Sequence, residues 1–294
     1  MSDIYVTSAV MALREAGGVG PKMFQAILTV FGSPENIYGA AIDELIELPR
    51  VSEEWAVKIL SSQDVIPMMS ERIERLTEEG IHIATFLDDD YPSRLRSLDD
   101  PPPILYYRGT LPGPSQKSIS IVGTTGASSE GIEAAVDISA MVSKMGFAVV
   151  SGLARGIDVS AHLGALKTDG VTHAVIGSGH YNIYPEENSL VAEQLLEKGS
   201  LMTEYPPDTT VNTGRLIARN RIVVGLSDST IVVELSPKSS GSLAAAEACD
   251  RQGKLLFYLV KGDEEERGVS VPPNAIPFET LDAIETILEN SIGS

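Results

Sequence analysis

From residue 118 the sequence alternates between short apolar runs and longer segments of helical spacing, and few folds accommodate this order. Runs such as Ile231-Val232-Val233 lack a polar side, as is typical of strands that helices cover on both faces. Six apolar runs joined by five helical segments predict an α/β fold, a doubly wound Rossmann-type domain with a mostly parallel sheet. The predicted strands are 118–122, 147–151, 172–177, 201–204, 230–235 and 255–260. Such a sheet binds its ligands at the carboxyl ends of the strands.

The first 64 residues predict helices without strands. Two helix–turn–helix units follow one another, with a first turn at Gly17–Pro21 and a second at Pro49–Ser52. Ser52, with acidic residues directly behind it, predicts a helix N-cap. The pattern indicates a small helix-hairpin-helix or SAM-like domain. Such hairpins can present backbone N–H groups to a nucleic-acid phosphate, but the few basic residues here favour a module for protein contacts.

We expect three parts in the chain. Residues 1–64 form the helical domain, and residues 65–262 form an extended Rossmann-type domain that begins with a helix and a strand. Residues 263–294 form an acidic loop and a C-terminal helix, with no winged helix.

The formal net charge of -19 argues against a protein that coats nucleic acid, because binding to phosphate backbones depends on clustered Lys and Arg. Residues 113–261 are nearly neutral, with 12 Lys and Arg against 15 Asp and Glu, so a local basic pocket is compatible with the composition. No apolar run approaches the roughly 20 residues that span a membrane, and the N-terminus lacks a signal-peptide pattern. We therefore expect a cytoplasmic protein without a membrane partner. The single cysteine, Cys249, predicts a buried structural thiol.

The loops after the predicted strands are rich in glycine, serine and arginine, which are residue types that suit an anion. Glycine lets backbone N–H groups approach a phosphate, a helix N-terminus adds partial positive charge, and arginine makes bidentate contacts. The residues predicted to bind phosphate or DNA are Gly123, Thr124, Thr125, Ser151, Gly152, Arg155, Gly156, Gly179, Arg215, Arg219, Asn220, Arg221, Lys238, Ser240, Gly241 and Ser242. The first loop lacks the full dinucleotide fingerprint, and no acidic residue ends the second strand, so we predict no NAD. We expect no other cofactor and no metal.

Three further residues are predicted to support these loops, namely Asp158, His162 and Glu234. Asp158 and His162 lie four residues apart on one helical face, as an acid–base pair or as a hydrogen-bonded pair that pins the loop. We favour the second interpretation, because no nucleophile lies at a suitable spacing. Arg221 either contacts phosphate or pairs with a buried carboxylate such as Glu234.

Five ordered motifs resemble the DprA/Smf family of DNA-processing proteins over residues 81–260. They are YPSRLRSLDDPPPILYYRG at 91–109, SGLARGID with AH and AL at 151–166, YPEEN at 184–188, RNRIVVGLS at 219–227 and SGSL at 240–243. The resemblance implies a protein that binds single-stranded DNA and loads a RecA-type recombinase onto it. It also implies a homodimer without catalytic activity, and the helical N-terminal module fits the family's layout.

The chain departs from the family pattern at positions that bear on DNA binding. Thr125 stands where the resemblance places an arginine, and Leu216-Ile217 replaces an aromatic-proline pair. The acidic run Asp263–Glu266 replaces a glycine-rich segment and is expected to oppose binding of a phosphate backbone. Two alternatives therefore stay open. The first is a nucleotide-binding or nucleotide-sensing Rossmann module, and the second is a nucleoside-phosphate hydrolase, whose PGGxGTxxE signature does not occur in the sequence.

Overall fold

The computed structural model describes residues 3–236, 240–260 and 273–292 of the 294-residue chain. The chain forms two compact units, Met1–Arg108 and Gly109–Ser294. The sequence prediction placed its first boundary after residue 64, whereas the first unit also contains two further helices and a strand pair. A separate third part, with its acidic run at 263–266, stays a prediction because that run lies outside the described residues.

The first unit consists of helices and one antiparallel strand pair. Its elements are α1 (Ile4–Glu15), α2 (Pro21–Phe31), α3 (Ile42–Ile46), α4 (Glu53–Ser61), α5 (Ile66–Glu78), β1 (His82–Thr85), α6 (Ser93–Arg96) and β2 (Ile104–Gly109). The predicted N-cap is confirmed, because the Ser52 hydroxyl accepts a hydrogen bond from the backbone N–H of Trp55 at 3.2 Å. The two helical hairpins are tied together by the Trp55 indole N–H, which donates to the carbonyl of Gly17 at 2.8 Å.

The strand pair belongs to the core of this first unit. Ile104 and Tyr106 of β2 are buried in the same apolar cluster as Leu13 of α1. The Tyr106 hydroxyl donates to the Glu15 carboxylate at 2.6 Å, and Arg72 pairs with the same carboxylate at 2.5 Å. Burial raises the pKa of Tyr106 well above its usual value, so the phenol keeps the proton that it donates.

Seven parallel strands form the sheet of the second unit within the described ranges. They are β3 (Ser118–Val122), β4 (Ala148–Ser151), β5 (Thr172–Val175), β6 (Ser200–Thr203), β7 (Ser229–Val232), β8 (Leu255–Leu259) and β9 (Ile276–Phe278). Their spatial order is β6-β5-β4-β3-β7-β8-β9, so the chain winds outward from β3 and then returns to its other side for β7. The predicted doubly wound α/β fold is confirmed. Strand β9 was not predicted, because three residues at a sheet edge leave no distinct apolar run.

Helices cover this sheet in two groups. The helices are α7 (Ser129–Lys144), α8 (Ile157–Lys167), α9 (Ser189–Gln194), α10 (Thr213–Ala218), α11 (Asn220–Gly225), α12 (Ser240–Arg251) and α13 (Leu281–Ile292). Helix α7 packs against both α8 and α13, and α10, α11 and α12 pack on one another. The helix predicted near 214–226 is in fact two helices that meet at Arg219. Cys249 is buried on α12, as expected.

The order of the strands defines where a ligand can enter. The winding direction reverses at β3, whose neighbours are β4 on one side and β7 on the other. The loops that leave such neighbouring strands diverge to opposite faces and open a crevice between them. In the described ranges, every helix is too short or too polar to cross a lipid bilayer.

Candidate functional site

A cleft of about 430 Å³ opens at the carboxyl end of β3, where the winding of the sheet reverses. The loops after β3 and β4 bring Gly123, Thr125, Gly152 and Arg155 to its wall. The α10–α11 junction and the start of α12 add Arg219, Asn220, Gly241 and Ser242. The structure therefore brings together half of the residues that the sequence predicted as a phosphate or DNA site.

Four other predicted residues do not line the cleft and belong to the framework of the second unit. They are Thr124, Ser151, Gly156 and Gly179. Gly156 has a φ of 71° and begins α8 against the Thr124 carbonyl, which a Cβ at Gly156 would approach to 2.5 Å. The Ile157 N–H donates to that same carbonyl at 3.3 Å, so the chain itself covers the N-terminus of α8. Lys238 and the side chain of Ser240 lie outside the described residues.

Arg219 was predicted to bind phosphate, but its guanidinium is buried under the cleft and engaged on every nitrogen. Nη1 donates to the carbonyl of Gly152, directly after β4, and to that of Val175, the last residue of β5. Nη2 lies 3.5 Å from the Asp158 carboxylate, and Nε donates to Asn220 Oδ1 at 3.0 Å. Strand ends leave carbonyls without ladder partners, and a buried donor satisfies them. The geometry gives Arg219 a supporting role in place of the predicted phosphate contact.

The Asp158 carboxylate forms the other half of this buried ion pair. Burial raises the pKa of Asp158, against the lowering effects of Arg219 and of hydrogen bonds from the Ala154 and Gly152 backbone. Burial also lowers the pKa of Arg219. Loss of either partner would leave an uncompensated charge inside the protein. The pair therefore holds the β4–α8 loop to the α10–α11 junction.

His162 makes a separate contact, so the predicted pair with Asp158 is wrong. The Thr172 hydroxyl donates to the Val149 carbonyl at 3.0 Å and therefore accepts from His162 Nδ1 at 2.7 Å. Nε2 then carries no proton, and burial, with a smaller effect of Arg219, lowers the pKa of His162 to about 3. The two residues share one helix, but α8 is buried on several sides and different neighbours bind each of them.

The first glycine loop already holds an anion of the chain itself. The Ser128 hydroxyl and N–H donate to the Glu234 carboxylate, at 2.8 Å and 3.2 Å, and the Gly131 N–H donates to the Ser128 hydroxyl at 3.0 Å. A Cβ at Gly131 would collide with this carboxylate. Glu234 thus occupies the N-terminus of α7, where the helix dipole favours negative charge. Of the two alternatives for Arg221, the pairing with a buried carboxylate is confirmed, but the partner is Glu204 and not the example Glu234.

Two other predicted arginines are engaged outside the cleft. Arg221 makes a bidentate ion pair with the buried Glu204, at 2.8 Å and 2.9 Å. Arg215 donates to the Thr210 carbonyl at 2.7 Å, and its guanidinium carbon lies 5.5 Å from the centre of the Tyr205 ring. The structure therefore does not gather the arginines of this segment into one phosphate site.

Arg155 differs from these residues because solvent reaches it. Its Nε and Nη2 donate to the two carboxylate oxygens of Glu187, at 2.7 Å and 2.9 Å. The side chains of Arg155 and Glu187 are 54% and 57% exposed. The hydrogen bond with Glu187 raises the pKa of Arg155 and lowers that of Glu187. Water screens exposed ion pairs, so a competing anion can exchange with the carboxylate.

Sequence reasoning missed Tyr184, which lines the same cleft as Arg155 with 45% of its surface exposed. Its only sequence signal was the YPEEN motif, which carried weight as a family feature and not as an aromatic surface. The segment 184–188 is held in place by Asn188, whose amide donates to the Leu153 carbonyl at 2.9 Å. The cleft is therefore lined by a half-exposed aromatic ring as well as by an exposed guanidinium.

The described part of the cleft is balanced in charge. Its two cations, Arg155 and Arg219, pair with Glu187 and Asp158. Gly241 and Ser242 at the start of α12 add a helix N-terminus that faces the same space. No group of three or more His, Cys, Asp and Glu residues is placed to hold a metal ion anywhere in the described residues. The geometry suits an anion that can displace a carboxylate.

Comparison with known families assigns both units. Residues 82–271 match the model of DNA recombination-mediator protein A, and residues 10–62 match the SAM-like helix-hairpin-helix tandem. The chain is 33% identical over 253 residues to protein Smf of Synechocystis, covering 85% of this chain and 63% of the relative. It is 34% identical over 194 residues to the DNA processing protein DprA of Bacillus subtilis, covering 66% and 65%. The chain thus spans slightly less than two thirds of the length of these relatives.

Two solved structures share the architecture. DNA processing protein A from Streptococcus pneumoniae superimposes with a TM-score of 0.74 at 23% identity, over 98% of both chains, which supports the fold. DNA processing protein A from Helicobacter pylori gives a TM-score of 0.60 at 25% identity, over 71% of this chain and 96% of that chain. That protein has been described in a single-stranded DNA binding mode. The matched helical module, the doubly wound sheet and the family model together place this chain in the DprA/Smf family of DNA recombination mediators.

Proposed function

We propose that this protein binds single-stranded DNA through the cleft at the end of β3 and delivers it to a RecA-type recombinase. The observation that carries the proposal is the exposed guanidinium of Arg155 at the edge of a cleft formed at the switch point of the sheet. The helix N-terminus at Gly241 and Ser242 would bind a phosphate of the strand, and the Arg155 guanidinium would bind another.

The partners in this proposal rest on family membership. Recombination mediators act on a DNA–recombinase complex, and the Helicobacter relative supports single-stranded DNA as the ligand. We propose that the protein acts as a homodimer and catalyses no reaction of its own. The buried ion pair of Asp158 and Arg219 supports this absence of chemistry, because it gives both groups a structural task.

A second candidate is a module that binds one free nucleotide. The charge balance of the cleft favours it, since single-strand binders generally rely on a net positive groove. The volume of about 430 Å³ also falls within the range of small-molecule sites.

Competition at one labelled ligand separates the two candidates. A fluorescent oligo-dT would be titrated with the protein at low salt, and the complex would then be challenged with unlabelled oligo-dT or with free dTMP at equal nucleotide concentration. The proposed function predicts binding that oligo-dT displaces far better than dTMP. Equal displacement by both would support the nucleotide module and contradict the proposed function.

A further inference from the structure

The ion pair at the mouth of the cleft, Arg155 with Glu187, is exposed to solvent, whereas the pair below the cleft is buried. The Asp158 carboxylate is buried under the cleft with Arg219, and exchange there would leave an uncompensated charge. Glu187 and Arg155 pair in solvent, where exchange costs little. This exposed pair can therefore open without loss of the fold.

The mouth of the cleft also contains an aromatic ring on which the base of a nucleotide could stack. The half-exposed Tyr184 ring lines the cleft together with Arg155, and aromatic rings in nucleic-acid grooves stack bases. The bond from Asn188 to the Leu153 carbonyl fixes the segment that carries both Tyr184 and Glu187 to the loop that carries Arg155. The two loops that carry the ring, the guanidinium and the carboxylate are therefore joined to each other.

We infer that Tyr184, Arg155 and Glu187 form a subsite for one nucleotide unit, in which the base stacks on Tyr184 and the phosphate displaces Glu187 from Arg155. The inference rests on the proposed function and specifies how the cleft selects its ligand. Glu187 acts as an internal competitor that occupies the bidentate donors of Arg155 until a phosphate replaces it. A polyanion without phosphates and bases could bind the Arg155 guanidinium but could not stack a base on Tyr184.

Removal of the competitor tests the phosphate half of this subsite. Glu187→Gln removes the charge that holds Arg155, and Glu186→Gln removes the same charge from the adjacent exposed residue, which takes no part in the bidentate pair with Arg155. We expect Glu187→Gln to tighten binding of oligo-dT several-fold at low salt, and Glu186→Gln to tighten it clearly less. In an Arg155→Gln background, the gain from Glu187→Gln should fall to that of Glu186→Gln.

An abasic ligand tests the base half. Tyr184→Leu keeps an apolar side chain without an aromatic face, and Tyr184→Phe keeps the ring. We expect Tyr184→Leu to weaken binding of oligo-dT by about 5-fold or more, in keeping with the loss of one stacked base. Binding of an abasic oligonucleotide with the same number of phosphates should not change, and Tyr184→Phe should bind both ligands like the wild type.

The outcomes distinguish the subsite from the proposed function. If the wild type binds oligo-dT, but Glu187→Gln matches Glu186→Gln or Tyr184→Leu weakens both ligands equally, the subsite is contradicted and the function stands. If the wild type and all variants fail to bind oligo-dT at low salt, the proposed function is contradicted and the subsite with it. Thermal unfolding midpoints equal to the wild type exclude misfolding of the variants.

Discussion

The Glu234 carboxylate accepts a hydrogen bond from the Ser128 hydroxyl at 2.8 Å and thereby occupies the N-terminus of α7. This is the position at which Rossmann-type proteins bind a ligand phosphate, as the helix dipole favours an anion there. In this chain a side chain supplies that anion. We therefore propose that a ligand of the cleft binds elsewhere along the loops, at the exposed Arg155.

Gly131→Ala should destabilise the protein, because the added methyl group collides with the Glu234 carboxylate and separates it from Ser128. The expected loss in the free energy of unfolding is about 1–3 kcal/mol, the cost of a disrupted buried hydrogen bond. Gly126→Ala is the control, since a methyl group there meets no atom within 4 Å. Urea denaturation measures both, and equal stability of the two variants would contradict the assigned contact.

Arg219→Ala and Arg155→Ala should distinguish a residue that stabilises the fold from one that binds DNA. Arg219→Ala leaves Asp158 buried without its partner, so we expect a loss of about 3–5 kcal/mol in the free energy of unfolding. Arg155→Ala should leave the unfolding midpoint unchanged and weaken binding of oligo-dT. Chemical denaturation and fluorescence anisotropy measure the two effects. A stable Arg219→Ala protein that has lost only DNA binding would restore the phosphate role first predicted for Arg219.

The buried His162 should make stability depend on pH. Burial lowers its pKa to about 3, below the ordinary value of 6.5. Between these two pH values His162 is protonated in the unfolded chain and neutral in the folded protein. The stability that the neutral His162 contributes is fully present above pH 6.5. It is lost as the pH falls toward the pKa of about 3 in the folded protein, by at most about 1.4 kcal/mol per pH unit.

His162→Asn is the matched variant for this test, because its amide can replace Nδ1 as donor to Thr172 without titrating. Urea denaturation at pH 7 and pH 5 should show a smaller loss for the variant than for the wild type. His173 also titrates in the unfolded chain and has a pKa lowered by burial to about 4, so part of the loss should remain. Identical losses in both proteins would contradict the neutral, buried state of His162.

Thr125→Arg should increase the electrostatic part of DNA binding, because Thr125 is exposed and lines the cleft. One added phosphate contact should steepen the slope of log K against log salt by about 0.7 for a single strand. Thr286→Arg adds the same charge on the exposed face of α13, outside the cleft. Anisotropy titrations over a salt series should show the steeper slope for Thr125→Arg alone, and an equal slope for both would contradict the cleft as the binding site.

The sequence predicted the scaffold well because a buried parallel strand is a local pattern. The apolar runs around Ile121, Val149 and Ile231 identified their strands within three residues at either end, and the glycines after them identified the loops. Local patterns of this kind therefore predicted eight of the residues that line the cleft, among them Gly123 and Gly152.

The partners of the charged side chains could not be predicted in the same way. Asp158 and His162 have the spacing of a pair, but partners distant in sequence, Arg219 and Thr172, bind them in the fold. Glu187 was recognised only as part of a motif, although its position in space neutralises Arg155. Such contacts depend on the packing of loops that approach one another only after folding, and local spacing carries no information about them.

The dependence of affinity on oligonucleotide length tests the central claim most directly. Oligo-dT from one nucleotide to about 20 would be titrated at low salt against the wild type and Arg155→Ala, a range that spans the site sizes of single-strand binders. We predict that affinity rises with length and that Arg155→Ala weakens binding at every length that binds. Affinity that stays flat from a single nucleotide to the longest strand would contradict DNA binding by this cleft.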